Sequence, residues 1–179
     1  MALKATIYKV ELQVSDIDRG HYGTHSLTLA RHPSETEQRL MLRLLAFAMH
    51  ADDELEFGRG LSTDDEPDLW RKAPSGEIEL WIDLGLPDER RLRRASGRAG
   101  RVVLIAYGER SFEVWWRKQA PALAKLSNLT VWAVPDATAA ALSTLAARGM
   151  QLQVTVQDGQ IAVGDGERFL ELDLQRLQG

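Results

Sequence analysis

Glu77-Ile78-Glu79-Leu80-Trp81-Ile82-Asp83-Leu84 is the stretch on which the fold turns. Ile78, Leu80, Ile82 and Leu84 fall on one side and Glu77, Glu79, Trp81 and Asp83 on the other, the period of a β-strand. Residues 68–72 read as a second strand, with Asp68, Trp70 and Lys72 sharing one face. The four residues between them, Ala73-Pro74-Ser75-Gly76, are strong turn formers. A hairpin around that loop predicts Lys72 opposite Glu77, Trp70 opposite Glu79 and Asp68 opposite Trp81. Asp68 and Glu79 then become diagonal neighbours, about 7–8 Å apart at Cα. Two carboxylates so placed suit one divalent cation with oxygen ligands, and Lys72 would be the local base or charge partner. The same face also reads as a solvated row of cross-strand ion pairs.

Working outward, Leu86-Pro87-Asp88-Glu89 opens a helix that runs to about Gly97. Residues 101–107 and 129–134 are short, continuous apolar runs. They predict adjacent interior strands of a sheet with helices on both faces. Residues 111–124 between them read as a helix interrupted near Pro121, and residues 135–148 as an alanine-rich helix. Upstream, Ser34-Glu35-Thr36-Glu37 fits a capping box with Ser34 as N-cap, opening an apolar helix that ends near His50. The ends are antiparallel β: residues 5–14 and 24–31 form a hairpin with a long loop, and residues 152–156, 161–163 and 169–174 form further strands. Neither end is stable as an isolated hairpin, so the two are expected to pair or pack together. The expected architecture is mixed α/β, with antiparallel strands added at both ends of an α/β core, in a single domain over residues 1–179.

Composition narrows the function. The 179 residues are 44% hydrophobic and 27% charged, as in a globular chain. With no cysteine, thiolate metal sites, disulfides and cysteine nucleophiles are excluded. The N-terminus has no apolar signal region, and no run approaches the roughly 18 apolar residues of a membrane span, so a cytoplasmic protein without membrane contact is expected. Net charge is −4, but the charges are segregated. Four carboxylates lie in residues 52–56, four more in 64–68, and six arginines in 90–101.

Several blocks resemble the YaeQ family of bacterial proteins: residues 2–9, residues 27–36, Asp64-Asp65-Glu66-Pro67, and residues 80–91, beginning Leu80-Trp81-Ile82-Asp83. The resemblance covers essentially the whole chain. It implies a variation of the PD-(D/E)XK, restriction-endonuclease-like fold, with an αβββαβ core at about residues 34–148 and β additions at 4–31 and 151–175. It also implies a divalent-metal site on adjacent strands. Pro67-Asp68 resembles the PD element, and Glu79-Leu80-Trp81 stands where (D/E)XK belongs. Trp81 replaces the lysine. Lysine migrates in this superfamily, and Lys72 is the position to test.

Asp68, Glu79 and Lys72 are therefore the candidate catalytic residues, with Asp68 and Glu79 as ligands of Mg²⁺ or Mn²⁺. Glu35 is an additional acidic candidate at the start of the long helix. Arg90, Arg91, Arg93 and Arg94 cover the exposed arc of a helix whose buried side is Leu92 and Ala95; they suit phosphates, Arg90, Arg91 and Arg94 foremost, or form a plain solvated face. His21 and His25 share strand parity without a third ligand nearby, and Trp115-Trp116 suits base stacking or packing. Two functions follow: a metal-dependent nuclease acting on nucleic-acid phosphodiesters, or a non-catalytic nucleic-acid- or protein-binding module on the same fold. Trp81 at the lysine position and the net charge favour the second.

Overall fold

The computed structural model describes residues 4–59 and 65–179; Asp64 of the acidic block lies outside the described residues. The fold is mixed α/β, with two mixed sheets and four helices among the described residues. The chain packs as two compact units. One comprises the described residues up to Asp53 with Ala137–Asp173; the other comprises Glu54–Asp136 with Leu174–Gly179.

The first unit is built on a five-stranded sheet of order β10-β9-β8-β1-β2. Strands β1 (Thr6–Asp16) and β2 (His21–Arg31) form the N-terminal hairpin. Its connection is a tight turn rather than the long loop expected. The Asp16 carboxylate accepts the Arg19 N–H at 3.0 Å, folding the chain back within four residues. Strands β8 (Gly149–Gln157), β9 (Gln160–Gly164) and β10 (Phe169–Leu172) follow as an antiparallel meander. The two ends of the chain join as anticipated: β1 pairs with β8, in parallel. Tyr8, Val10, Leu12 and Val14 of β1 and Leu152 and Val154 of β8 are buried on one face. Each fully buried leucine of this kind contributes about 1.5–3 kcal/mol.

Helix α1 (Glu37–Met49) belongs to the same unit and is buried from Leu40 to Ala48. Its N-cap is Thr36, not Ser34: the Thr36 hydroxyl accepts the Arg39 N–H at 3.1 Å. Ser34 hydrogen-bonds the His32 ring instead, at 2.7 Å. Helix α4 (Asp136–Ser143) is shorter than its alanine content predicts.

The second unit is a six-stranded sheet of order β11-β7-β6-β5-β4-β3. Its strands are β3 (Leu55–Phe57), β4 (Leu69–Lys72), β5 (Ile78–Leu84), β6 (Ala99–Ala106), β7 (Leu129–Ala133) and β11 (Gln175–Gln178). The two apolar runs are adjacent, parallel, interior strands, β6 and β7. Strand β5 joins them in parallel, while β3 and β4 run antiparallel. Helices α2 (Glu89–Arg98) and α3 (Glu109–Leu123) connect the parallel strands. Both contribute to one core: Leu92, Ala95 and Leu123 pack with Trp81, Val102, Leu104, Leu129 and Val131. Helix α3 continues through Pro121 to Leu123 without the expected interruption, because the proline falls in its last turn. Ile82, Val103 and Ile105, on the other face of the sheet, are buried as well.

Candidate functional site

The β4–β5 hairpin positions the candidate carboxylates, and its register differs from the one predicted. The loop is Pro74-Ser75-Gly76, one residue shorter than expected. Ala73 donates its N–H to the Glu77 carbonyl at 2.8 Å and accepts from Gly76 at 2.8 Å. Gly76 takes φ +93, the left-handed turn conformation that favours glycine. A bulge then follows: Arg71 pairs with Leu80 and Lys72 with Ile78, leaving Glu79 as the extra residue. These two steps bring Trp70 opposite Trp81 and Leu69 opposite Ile82. Asp68, one residue before Leu69, therefore stands at the level of Asp83, not Trp81.

This register separates two of the expected partners. Glu79 lies about four residues, some 13 Å, along the hairpin from the level of Asp68. Its side chain is 48% exposed and accepts from Arg71 Nε at 3.0 Å. Lys72 stands near the turn, with Nζ 3.7 Å from the centre of the Trp70 ring. Asp68 Oδ2 accepts the Leu84 N–H at 2.8 Å, closing the far end of the hairpin. Because Glu79 sits in a bulge with an exposed partner, Glu79→Ala is expected to change stability by less than about 1 kcal/mol in chemical denaturation.

Asp83 is a residue that the strand pattern placed on the polar face without a role. It is only 1% exposed and forms a two-pronged pair with Arg91 of α2, at 2.8 and 3.1 Å. Arg91 also donates to the Glu66 carbonyl at 3.0 Å. The eight-residue separation hides this pair from any strand or helix periodicity.

Helix α2 starts at Asp88, whose carboxylate accepts the Arg91 N–H at 2.9 Å. Leu92 and Ala95 face the core, which puts Arg90, Arg94 and Arg98 along one flank at successive turns. These three residues, with Trp81, Asp88, Arg91 and Ala95, line a cavity of about 300 Å³. The guanidinium groups of Arg91 and Arg98 stand 5.8 and 5.2 Å from the centre of the Trp81 ring. Trp81 is thus flanked by two cations from the next helix. Arg93 turns away and pairs with Glu89 at 2.9 Å.

The other candidates have structural surroundings. Glu35 is 4% exposed and holds Arg39 at 3.0 Å and Arg43 at 2.7 Å within the first unit. Trp115 donates its indole N–H to the Pro87 carbonyl at 2.7 Å, and both it and Trp116 pack against the core under α3. Among the described residues, no three histidine, aspartate or glutamate side chains gather closely enough to hold a metal ion.

His21 and His25 do meet. Their Nε2 atoms are 3.0 Å apart, in rings inclined by 15° with centroids 5.3 Å apart. Gly23 between them has no side chain to keep the rings apart. The geometry is that of one ring donating to the other. Burial, and then the neighbouring His21, hold the His25 pKa below its usual 6.5, while Asp53 and Asp52 act in the opposite sense. The folded state therefore binds this proton less readily than the unfolded state. The resulting stability is present above about pH 6.5 and is lost as pH falls through the folded pKa. The urea midpoint is expected to drop between pH 7.5 and 5.5, and to drop less in His25→Phe; an equal drop in both would assign it to other groups.

A sequence model of the YaeQ protein family matches residues 1–174. The YaeQ protein of Salmonella typhi is 49% identical over 178 residues, covering 99% of this chain and 98% of the relative. That of Escherichia coli K12 is 48% identical over the same shares. The crystal structure of YaeQ from Xanthomonas axonopodis pv. citri matches with a TM-score of 0.94 at 51% identity, covering 98% of this chain and 99% of that one. YaeQ from Pseudomonas syringae matches with a TM-score of 0.93 at 42% identity, covering 98% and 97%. Sequence and fold agree over nearly the full length, and the chain belongs to the YaeQ family.

Proposed function

We propose that the protein binds nucleic acid through the arginine flank of α2, as a binding module on a nuclease-like scaffold. The observation that carries this reading is the cavity lined by Arg90, Arg91, Arg94 and Arg98. Guanidinium groups bind phosphate oxygens in pairs and stay charged at all physiological pH values. Three of them recur every four residues, a rise of about 6 Å along the helix, so they can engage successive phosphates. A net charge of −4 does not oppose this, because a local basic surface sets the field a strand meets on approach.

The test is fluorescence anisotropy with a labelled oligonucleotide in EDTA over a range of salt concentrations. Three arginine–phosphate contacts, from Arg90, Arg94 and Arg98, predict a slope of log K against log salt of about −2 to −3. A slope near zero, or no binding at low salt, overturns the reading.

A second reading is phosphodiester hydrolysis with Mg²⁺ or Mn²⁺. The observation that favours it is that Asp68, just before β4, stands at the level of Asp83 on β5, whose partner Arg91 lines the arginine cavity. The Asp68 and Asp83 carboxylates are hard ligands of the type such ions take, although Asp83 is now neutralised by Arg91. A bound cation would supply Lewis acidity at the phosphate. Glu79 and Lys72, toward the turn, would act only from the far end of the hairpin. Calorimetric titration with Mn²⁺, followed by a cleavage assay, separates the readings. Hydrolysis that Asp68→Asn abolishes supports this second reading, and intact oligonucleotide binding without metal uptake or cleavage supports the first.

A further inference from the structure

We propose that the α2 cavity is a phosphomonoester site, taking the phosphorylated end of a nucleic-acid strand or a free nucleotide; this rests on the nucleic-acid reading above. Shape is the first argument. The cavity is half open to solvent, holds about 300 Å³ and has Trp81 in its wall, so a strand end or a nucleotide can enter it from the arginine flank. That volume lies at the small end of ligand sites and suits a single nucleotide.

Charge is the second. Of the four guanidinium groups, Arg91 is neutralised by Asp83, and Arg94 has Asp65 Oδ1 at 3.7 Å. The Asp88 carboxylate is engaged by the N–H of Arg91. Arg98 donates to the neutral carbonyl of Asp65 at 3.2 Å and pairs with no carboxylate among the described residues. Arg90 has neither a hydrogen bond nor an ion pair to a described residue. Two guanidinium groups are thus left without a carboxylate partner. A phosphomonoester presents three terminal oxygens, enough to accept from both and from a further donor in the same wall, whereas a diester presents only two.

Trp81 is the third. It is 2% exposed, and its indole N–H is buried with no acceptor among the described residues. A wall needed only for packing would be served by an aliphatic side chain such as those of its neighbours Leu80 and Ile82. A buried donor without an acceptor is costly, and a phosphate oxygen entering beside Arg91 and Arg98 supplies the acceptor.

The test uses oligonucleotides of one sequence bearing a 5′-phosphate, a 3′-phosphate or hydroxyls at both ends, together with adenosine 5′-monophosphate, against the ¹⁵N-labelled protein. A phosphorylated end is expected to bind about tenfold more tightly than the hydroxyl oligonucleotide. The Trp81 indole N–H resonance is expected to shift downfield, and both effects to disappear in Arg90→Ala/Arg98→Ala. Equal binding of phosphorylated and hydroxyl oligonucleotides overturns the end site while leaving backbone binding standing. Binding of the mononucleotide without any oligonucleotide supports the phosphomonoester site with a free nucleotide as its source, and overturns the nucleic-acid reading. No binding of any of them overturns both.

Discussion

Glu35→Ala is expected to lower the stability of the first unit by about 3–5 kcal/mol, the range for removing one partner of a buried ion pair. The carboxylate is held by Arg39 at 3.0 Å and Arg43 at 2.7 Å, and the main-chain carbonyl of Glu35 accepts from Arg31 at 2.7 Å. Arg43 is itself buried and also donates to the Ala30 carbonyl at 3.0 Å. Removing the carboxylate leaves a guanidinium inside the protein without its counter-charge. Glu35→Gln keeps an acceptor and should lose less. Urea denaturation monitored by circular dichroism checks both. If alanine costs under 1 kcal/mol, the pair is not structural and Glu35 is open again to a role at a functional site.

Arg90→Ala/Arg94→Ala/Arg98→Ala is expected to weaken oligonucleotide binding by about a hundredfold or more at low salt, because three charge-assisted phosphate contacts are lost together. The salt slope should fall by about two to three units. These side chains leave the helix on the flank away from Leu92 and Ala95, so the fold should survive. Anisotropy at several salt concentrations reads the affinity and the slope. An unchanged slope would place the phosphate contacts elsewhere.

The parallel centre of the second unit was legible because continuous apolar runs have few other uses in a globular chain: residues 101–107 and 129–134 became β6 and β7 directly. The pairing of the N- and C-terminal strands was legible for a similar reason, since each leaves an apolar face that must be covered. The hairpin register was not. A four-residue turn and a three-residue turn with glycine at positive φ use the same residues, and the bulge at Glu79 leaves no mark in a pattern of alternation. Together these two single-residue steps moved the level of Asp68 from Trp81 to Asp83. Strand β11 was missed because its polar residues Gln175, Arg176 and Gln178 carry no apolar alternation; it is held by pairing with β7.

The site divides in the same way. Arg90, Arg91 and Arg94 were legible from helical periodicity. Arg98 fell just beyond the expected helix end at Gly97, yet it is the last residue of α2 and lines the cavity. The pair of Asp83 with Arg91 is a tertiary contact between a strand and the following helix. It depends on how α2 lies across the sheet, which local sequence does not encode.

The most direct test of the arginine flank as the phosphate-binding surface is an NMR titration of the arginine Nε–Hε resonances with a short single-stranded oligonucleotide. Arg90, Arg94 and Arg98 should shift together and saturate at one equivalent, while the resonances of Arg39 and Arg43, bound to Glu35, stay in place. Shifts confined to arginines outside α2, with Arg90, Arg94 and Arg98 unmoved, would contradict the account.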